Sequence, residues 1–109
     1  MNAVHDIEII AGTGREVKGK VCFPDRGDEV TEDSIIVIPH GGEDYHIPGM
    51  KCKAIICEIG NRLSHLAIVT REYGKIMVRM PNAIESLKDT KNIWLRCAGS
   101  KGVAVELGE

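Results

Sequence analysis

Apolar and polar positions along the chain fall into three regimes. At the start, Ile7-Glu8-Ile9-Ile10 reads as a short strand that Gly12-Thr13-Gly14 turns back on itself. Val17, Gly19, Val21 and Phe23 then alternate with Glu16, Lys18, Lys20 and Cys22, the period of two expected of a strand with one buried face. Pro24-Asp25-Arg26-Gly27-Asp28 closes it with turn-forming residues. The middle differs in kind. Ile35-Ile36-Val37-Ile38 and Ala54-Ile55-Ile56-Cys57 are unbroken apolar runs, which suit parallel strands covered on both faces.

A polar, glycine-bearing stretch, His40-Gly41-Gly42-Glu43-Asp44-Tyr45, separates those two runs, and its glycine doublet reads as a turn. After the second run, a loop over Glu58-Ile59-Gly60-Asn61-Arg62 leads into a helix predicted from about Leu63 to Tyr73, with Leu66, Val69 and Tyr73 at helical spacing. Gly74 supplies a C-terminal stop. Lys75-Ile76-Met77-Val78 predicts a further strand, and a short helix follows with Asn82 as N-cap and Glu85 three positions on, close to a capping box. Asn92 to Cys97 and Val103 to Val105 predict a closing hairpin about Gly99 to Gly102. The order is strands, a β-α-β-α core, then strands: one α/β domain over residues 1–109.

Composition narrows the class of partner. Of the 109 residues, 43% are hydrophobic but only 4% aromatic, so Ile, Val, Leu, Ala and Met must fill the core. Fourteen basic against sixteen acidic residues leave a formal charge of -2, and no basic stripe suggests nucleic-acid binding. Cys22, Cys52, Cys57 and Cys97 form no CxxC pair or zinc-type ligand set; three lie in strand-like runs, where a free thiol acts as a small hydrophobe. No apolar run approaches the roughly 20 residues that span a bilayer, and Met1 to Asp6 shows no signal-peptide pattern. The expectation is a cytoplasmic protein with no membrane partner.

Open α/β sheets gather their sites at the carboxyl ends of parallel strands. Two such ends are predicted, the His40–Tyr45 loop and the Gly60–Ser64 loop, and the second places Ser64-His65 at a helix start. Amides and dipole there favour a neutral imidazole first and an anionic phosphate later, and a neutral ring nitrogen is what histidine phosphorylation needs. On spacing alone, a histidine near a helix start is more often a structural or merely exposed residue than a functional one. A metal site joining His40 and His46 to Glu43, Asp44 or His65 follows no known ligand spacing, and no metal is expected. Trp94 and Tyr45 read as packing residues.

The stretch Gly60-Asn61-Arg62-Leu63-Ser64-His65-Leu66-Ala67-Ile68-Val69-Thr70-Arg71-Glu72-Tyr73-Gly74 resembles the signature of the phosphoenolpyruvate-utilising enzyme mobile domain, the swivelling phosphohistidine domain. That pattern runs Gly-Gly-x-Thr-Ser/Cys-His-Ala-Ala-Ile, then Ala-Arg-Glu and a Gly. Ile35 to Pro39, Glu43-Asp44, Ala54 to Glu58, Leu87-Lys88-Asp89 and Gly102-Val103 match flanking segments, and Gly12 and Gly19 fall where the opening hairpin carries glycines. The resemblance implies a swivelling β/β/α three-layer fold, a mostly parallel central sheet with an added antiparallel sheet or hairpins.

It also implies a function. In pyruvate phosphate dikinase and phosphoenolpyruvate synthase such a domain carries a phosphoryl group on its histidine between two active sites. His65 matches that histidine; Arg62 matches a position often basic, suited to phosphate oxygens; Ser64 matches the hydroxyl or thiol before it. For Arg62 a solvated loop cation, and for Ser64 a helix cap, are the other readings. The domain itself would hold no cofactor. ATP or phosphoenolpyruvate would act through a nucleotide-binding or phosphoenolpyruvate/pyruvate-binding protein in trans, making the chain a phosphotransferase component. Asn61 replaces the second Gly, Leu63 replaces the Thr, and Lys75 to Met80 lacks the expected Pro and Gly. These departures define the alternative, a non-catalytic docking or regulatory subunit of the same fold. A small hydro-lyase subunit, another use of swivelling domains, has no need of a histidine at that helix start.

Overall fold

A computed structural model of the chain describes residues 7–98 and 102–108. Seven strands, β1 (Glu8–Ala11), β2 (Glu16–Cys22), β3 (Ser34–His40), β4 (Ala54–Ile59), β5 (Ile76–Arg79), β6 (Asn92–Ala98) and β7 (Gly102–Gly108), form one sheet in the order β1-β5-β4-β3-β2-β6-β7. Strands β2 to β5 pair in parallel, whereas β1 on β5, β6 on β2 and β7 on β6 are antiparallel. The predicted hairpin is therefore not a detached layer. It is hydrogen-bonded into the sheet through β2, whose Lys20 to Cys22 pair with β3 while Glu16 to Lys20 pair with β6. The tip of the β6–β7 hairpin lies outside the described residues.

The unbroken apolar runs are explained by burial on both faces. Ile35, Val37, Ala54, Ile56, Ile76 and Val78 point into one core with Phe23, Ile93 and Leu95. Their neighbours Ile36, Ile38, Ile55, Cys57 and Met77 point into the other. Alternation along each strand thus supplies two cores from one sequence of Ile, Val and Ala. Two helices, α1 (His46–Lys51) and α2 (His65–Glu72), cover the second core, and α3 (Ala83–Ser86) lies over the first with Ala83 and Leu87 inserted. All four cysteines are buried and free. Among the described residues no helix is long and apolar enough to cross a membrane.

Some local expectations change. The predicted helix from Leu63 to Tyr73 is shorter, His65–Glu72, and its buried stripe is Leu66, Ala67 and Thr70 rather than Leu66, Val69 and Tyr73. Thr70 can face the core because its hydroxyl donates to the carbonyls of Leu66 at 2.8 Å and Ala67 at 3.1 Å, so this buried hydroxyl is paired. The capping box does not form. Asn82 adopts a left-handed conformation (φ 60°) without a side-chain cap, and the Ile84 amide donates instead to Glu58 of β4 at 3.0 Å. Trp94 is in neither core; it lies half-buried between Lys18 and Arg96, its indole donating to Glu16.

Gly19 sits where β2 changes partners. A Cβ there would meet the Asp33 carbonyl oxygen at 2.7 Å and Ile35 Cγ1 at 2.9 Å, so backbone passes where no side chain fits. Gly19→Ala should lower stability by about 1–3 kcal/mol, as overpacking does, measurable as a lower urea midpoint at unchanged slope. Burial pushes the Cys52 and Cys57 thiols up to about 11. At neutral pH a thiol reagent should therefore leave the four cysteines of the native protein largely unmodified and react with all of them in denaturant.

Candidate functional site

Parallel pairing sets the location. Register Ile38↔Cys57 and His40↔Ile59 brings the carboxyl ends of β3 and β4 side by side. The loops that follow, one leading through a 3-10 turn (Glu43–Tyr45) into α1 and the other into α2, therefore open on the same edge. His65 is the first residue of α2 and is half-buried. Its Nε2 lies 2.8 Å from Nδ1 of His46, the first residue of α1, with the rings tilted by 54°. The sequence places no helix over His46–Lys51; Pro48 and Gly49 obscure it. Proline is tolerated in a first turn, and Gly49 is needed because a Cβ would meet Leu66 Cδ2 of α2 at 2.8 Å.

The loop before α2 is folded by its own polar groups. Asn61 Oδ1 accepts from the Leu63 amide at 2.8 Å, Ser64 Oγ accepts from the Asn61 amide at 3.0 Å, and the Ser64 amide donates to the Asn61 carbonyl at 3.0 Å. Asparagine thus serves where the family pattern carries glycine, since the position needs no left-handed backbone and its amide oxygen forms the turn. Ser64 occupies the N-cap position without a side-chain cap; its hydroxyl shapes the loop.

The first-turn amides of α2 are mostly taken. The Leu66 amide donates to the Gly41 carbonyl at 2.9 Å, and those of Ala67 and Ile68 donate to the Ser64 carbonyl. Among the described residues the His65 amide alone of these four lacks a partner. A Cβ at Gly41 would lie 2.7 Å from Met77 Cε and 3.3 Å from Ser64 Cβ, so a side chain there would have to displace both neighbours. The glycine doublet, expected to be a turn, is thus also a cap for α2. Its second member, Gly42, donates its amide to His40 Nδ1 at 3.1 Å.

Arg62 is exposed, and its carbonyl accepts from Arg71 at 2.9 Å. Its guanidinium contacts no acidic side chain among the described residues. Around the two histidines several large apolar side chains face solvent: Leu63 is 85% exposed, Ile47 78%, Ile59 72% and Ile68 46%. Glu43 and Asp44 are exposed one turn before α1. Among the described residues no three His, Cys, Asp or Glu side chains converge to hold a metal ion.

With this geometry in place, comparison with known proteins identifies the class. The sequence model of the family described as PEP-utilising enzyme, mobile domain, matches residues 30–102. Phosphoenolpyruvate synthase of Aquifex aeolicus (strain VF5) is 35% identical over 92 residues, which cover 82% of this chain and 11% of that enzyme. The chain belongs to the phosphoenolpyruvate-utilising enzyme mobile domain family. The solution structure of a UPF0107 protein shares the fold, with a TM-score of 0.57 at 16% identity, covering 94% of this chain and 98% of that one.

The segment bearing His46 is anchored at both ends. Tyr45 donates its hydroxyl to the Asp25 carboxylate at 2.8 and 3.0 Å, and Lys75 donates to the carbonyls of Met50 at 2.6 Å and Gly49 at 3.3 Å. Burial first, then the bond to Asp25 and the nearby carboxylates, push the Tyr45 phenol from 10 up to about 12. A phenol raised on folding contributes stability below its ordinary value and loses it as pH rises through the raised one. Near-ultraviolet titration should therefore show a tyrosine ionising at about 12 that Tyr45→Phe removes.

Proposed function

We propose that this chain is a phosphoryl carrier. His65 Nε2 attacks phosphorus on a donor held by a partner; the N–P bond forms as the donor P–O bond breaks, and the leaving oxygen keeps the electron pair. The acceptor then reverses the step at a second site. ATP or phosphoenolpyruvate is the donor class, bound by the partner rather than by this domain, and phosphoenolpyruvate chemistry is suggested by the synthase relative. The observation that carries this reading is the position of His65: half-exposed, first in α2, at the carboxyl edge of β3 and β4, on segments that also carry the exposed Leu63, Ile47 and Ile68. Such a face suits transient docking against a partner surface.

The exposed Arg62 guanidinium is the phosphate-contacting group in this proposal, and the His65 amide at the helix start adds a second donor. Ser64 acts indirectly, holding the loop through Asn61. Incubated with a nucleotide-binding partner and ATP, or a phosphoenolpyruvate-binding partner and phosphoenolpyruvate, the protein should acquire an acid-labile, alkali-stable phosphate. His65→Ala should lose the label completely, and Arg62→Ala should slow labelling about tenfold, the effect of losing one charge-assisted hydrogen bond. No label from either donor system would overturn the reading.

A second reading, a docking or regulatory subunit, draws on the occupied amide of Leu66 and the apolar, outward Leu63, which leave few groups for a dianion. It expects His65→Ala to capture the same partner as the wild type with no phosphate formed on either.

A further inference from the structure

The ring of His65 has one side-chain partner among the described residues, and it is another imidazole. Leu63 is apolar and turned outward, and the Ser64 oxygen accepts from the Asn61 amide rather than bonding the ring. The 2.8 Å contact between His65 Nε2 and His46 Nδ1 is a hydrogen bond only if one nitrogen carries a proton and the other a lone pair. Which ring donates decides which nitrogen of His65 is nucleophilic.

We infer that His46 is a positioning residue: its Nδ1–H donates to His65 Nε2 and thereby holds His65 in the tautomer with its proton on Nδ1 and its lone pair on Nε2. The direction rests on the carrier reading, in which Nε2 of His65 is the attacking nitrogen and must hold a lone pair; the proton in the 2.8 Å contact then sits on Nδ1 of His46. The placement is also enforced sterically, since Gly49 against Leu66, Tyr45 on Asp25 and Lys75 at the end of α1 all hold that segment in place.

The consequence for transfer rests on the carrier reading. The lone pair that accepts from His46 is the one that must meet phosphorus, so the rings part as the donor docks. No bond to carbon or phosphorus changes in that opening; a hydrogen bond breaks and His46 keeps its proton. Its N–H is then free to donate to a phosphoryl oxygen, a role that Leu63 cannot supply.

The test reads the free protein. In protein with nitrogen-15 histidine, long-range proton–nitrogen NMR should show His65 Nδ1 protonated and Nε2 accepting. His46→Ala should release His65 into exchange between both tautomers. His46→Asn, which keeps a neutral N–H donor near the Nδ1 position, should restore the wild-type pattern, and dispersed amide spectra confirm that each variant folds. A proton on His65 Nε2 in the wild type, or an unchanged tautomer in His46→Ala, overturns the inference. With an active donor system, His46→Ala should lower the labelling rate about tenfold, with Asn recovering most of it. An unlabelled wild type with the expected tautomer would sink the carrier reading and leave the assignment of His46 standing.

Discussion

The bond from the Leu66 amide to the Gly41 carbonyl ties the loop after β3 to the helix after β4, and the geometry of the site follows from it. It seats α2 against the edge of the sheet, directs Leu66 and Ala67 into the core, and brings α1 close enough for Gly49 to lie against Leu66. Only then do His46 and His65 meet. The bond also uses a helix-start amide that would otherwise be unpaired, and so fixes the position of His65.

The rest of the fold holds that position in place. The two cores fix β3, β4 and β5 from both faces, so the loops at their carboxyl ends rest on a rigid base. The loops themselves are short and internally bonded, Asn61 and Ser64 closing one and Gly42 with His40 closing the other. What stays exposed in these segments is mixed: Ile47, Ile59 and Leu63 are apolar, whereas Glu43, Asp44, Asn61 and Arg62 are polar or charged.

Membership in the mobile domain family is carried by the match over residues 30–102 and by the synthase relative, which this chain covers over 11% of its length. The departures from the family pattern have physical accounts within the fold. Asn61 serves in place of glycine because its position needs no positive φ. Leu63 removes a hydroxyl from the vicinity of the ring, and His46 supplies a polar partner from a different segment.

Much of this was legible in the residue pattern. Unbroken runs of Ile, Val and Ala declared strands buried on both faces, because only a doubly covered strand can afford no polar side. Gly12 to Gly14 and Pro24 to Gly27 marked turns, and the Ser64-His65 pair marked a helix start. What the pattern left undecided depended on segments far apart in the chain. Asn82 lost its capping role to Glu58, which accepts from the Ile84 amide 26 residues on, and Ser64 turned to Asn61 once the Ala67 and Ile68 amides had closed on its carbonyl. The partner of His65 lies 19 residues earlier on a helix whose proline and glycine argue locally against it. Local propensity is set by neighbours along the chain; which two imidazoles touch is set by how closely two helices pack, and that only the tertiary structure decided.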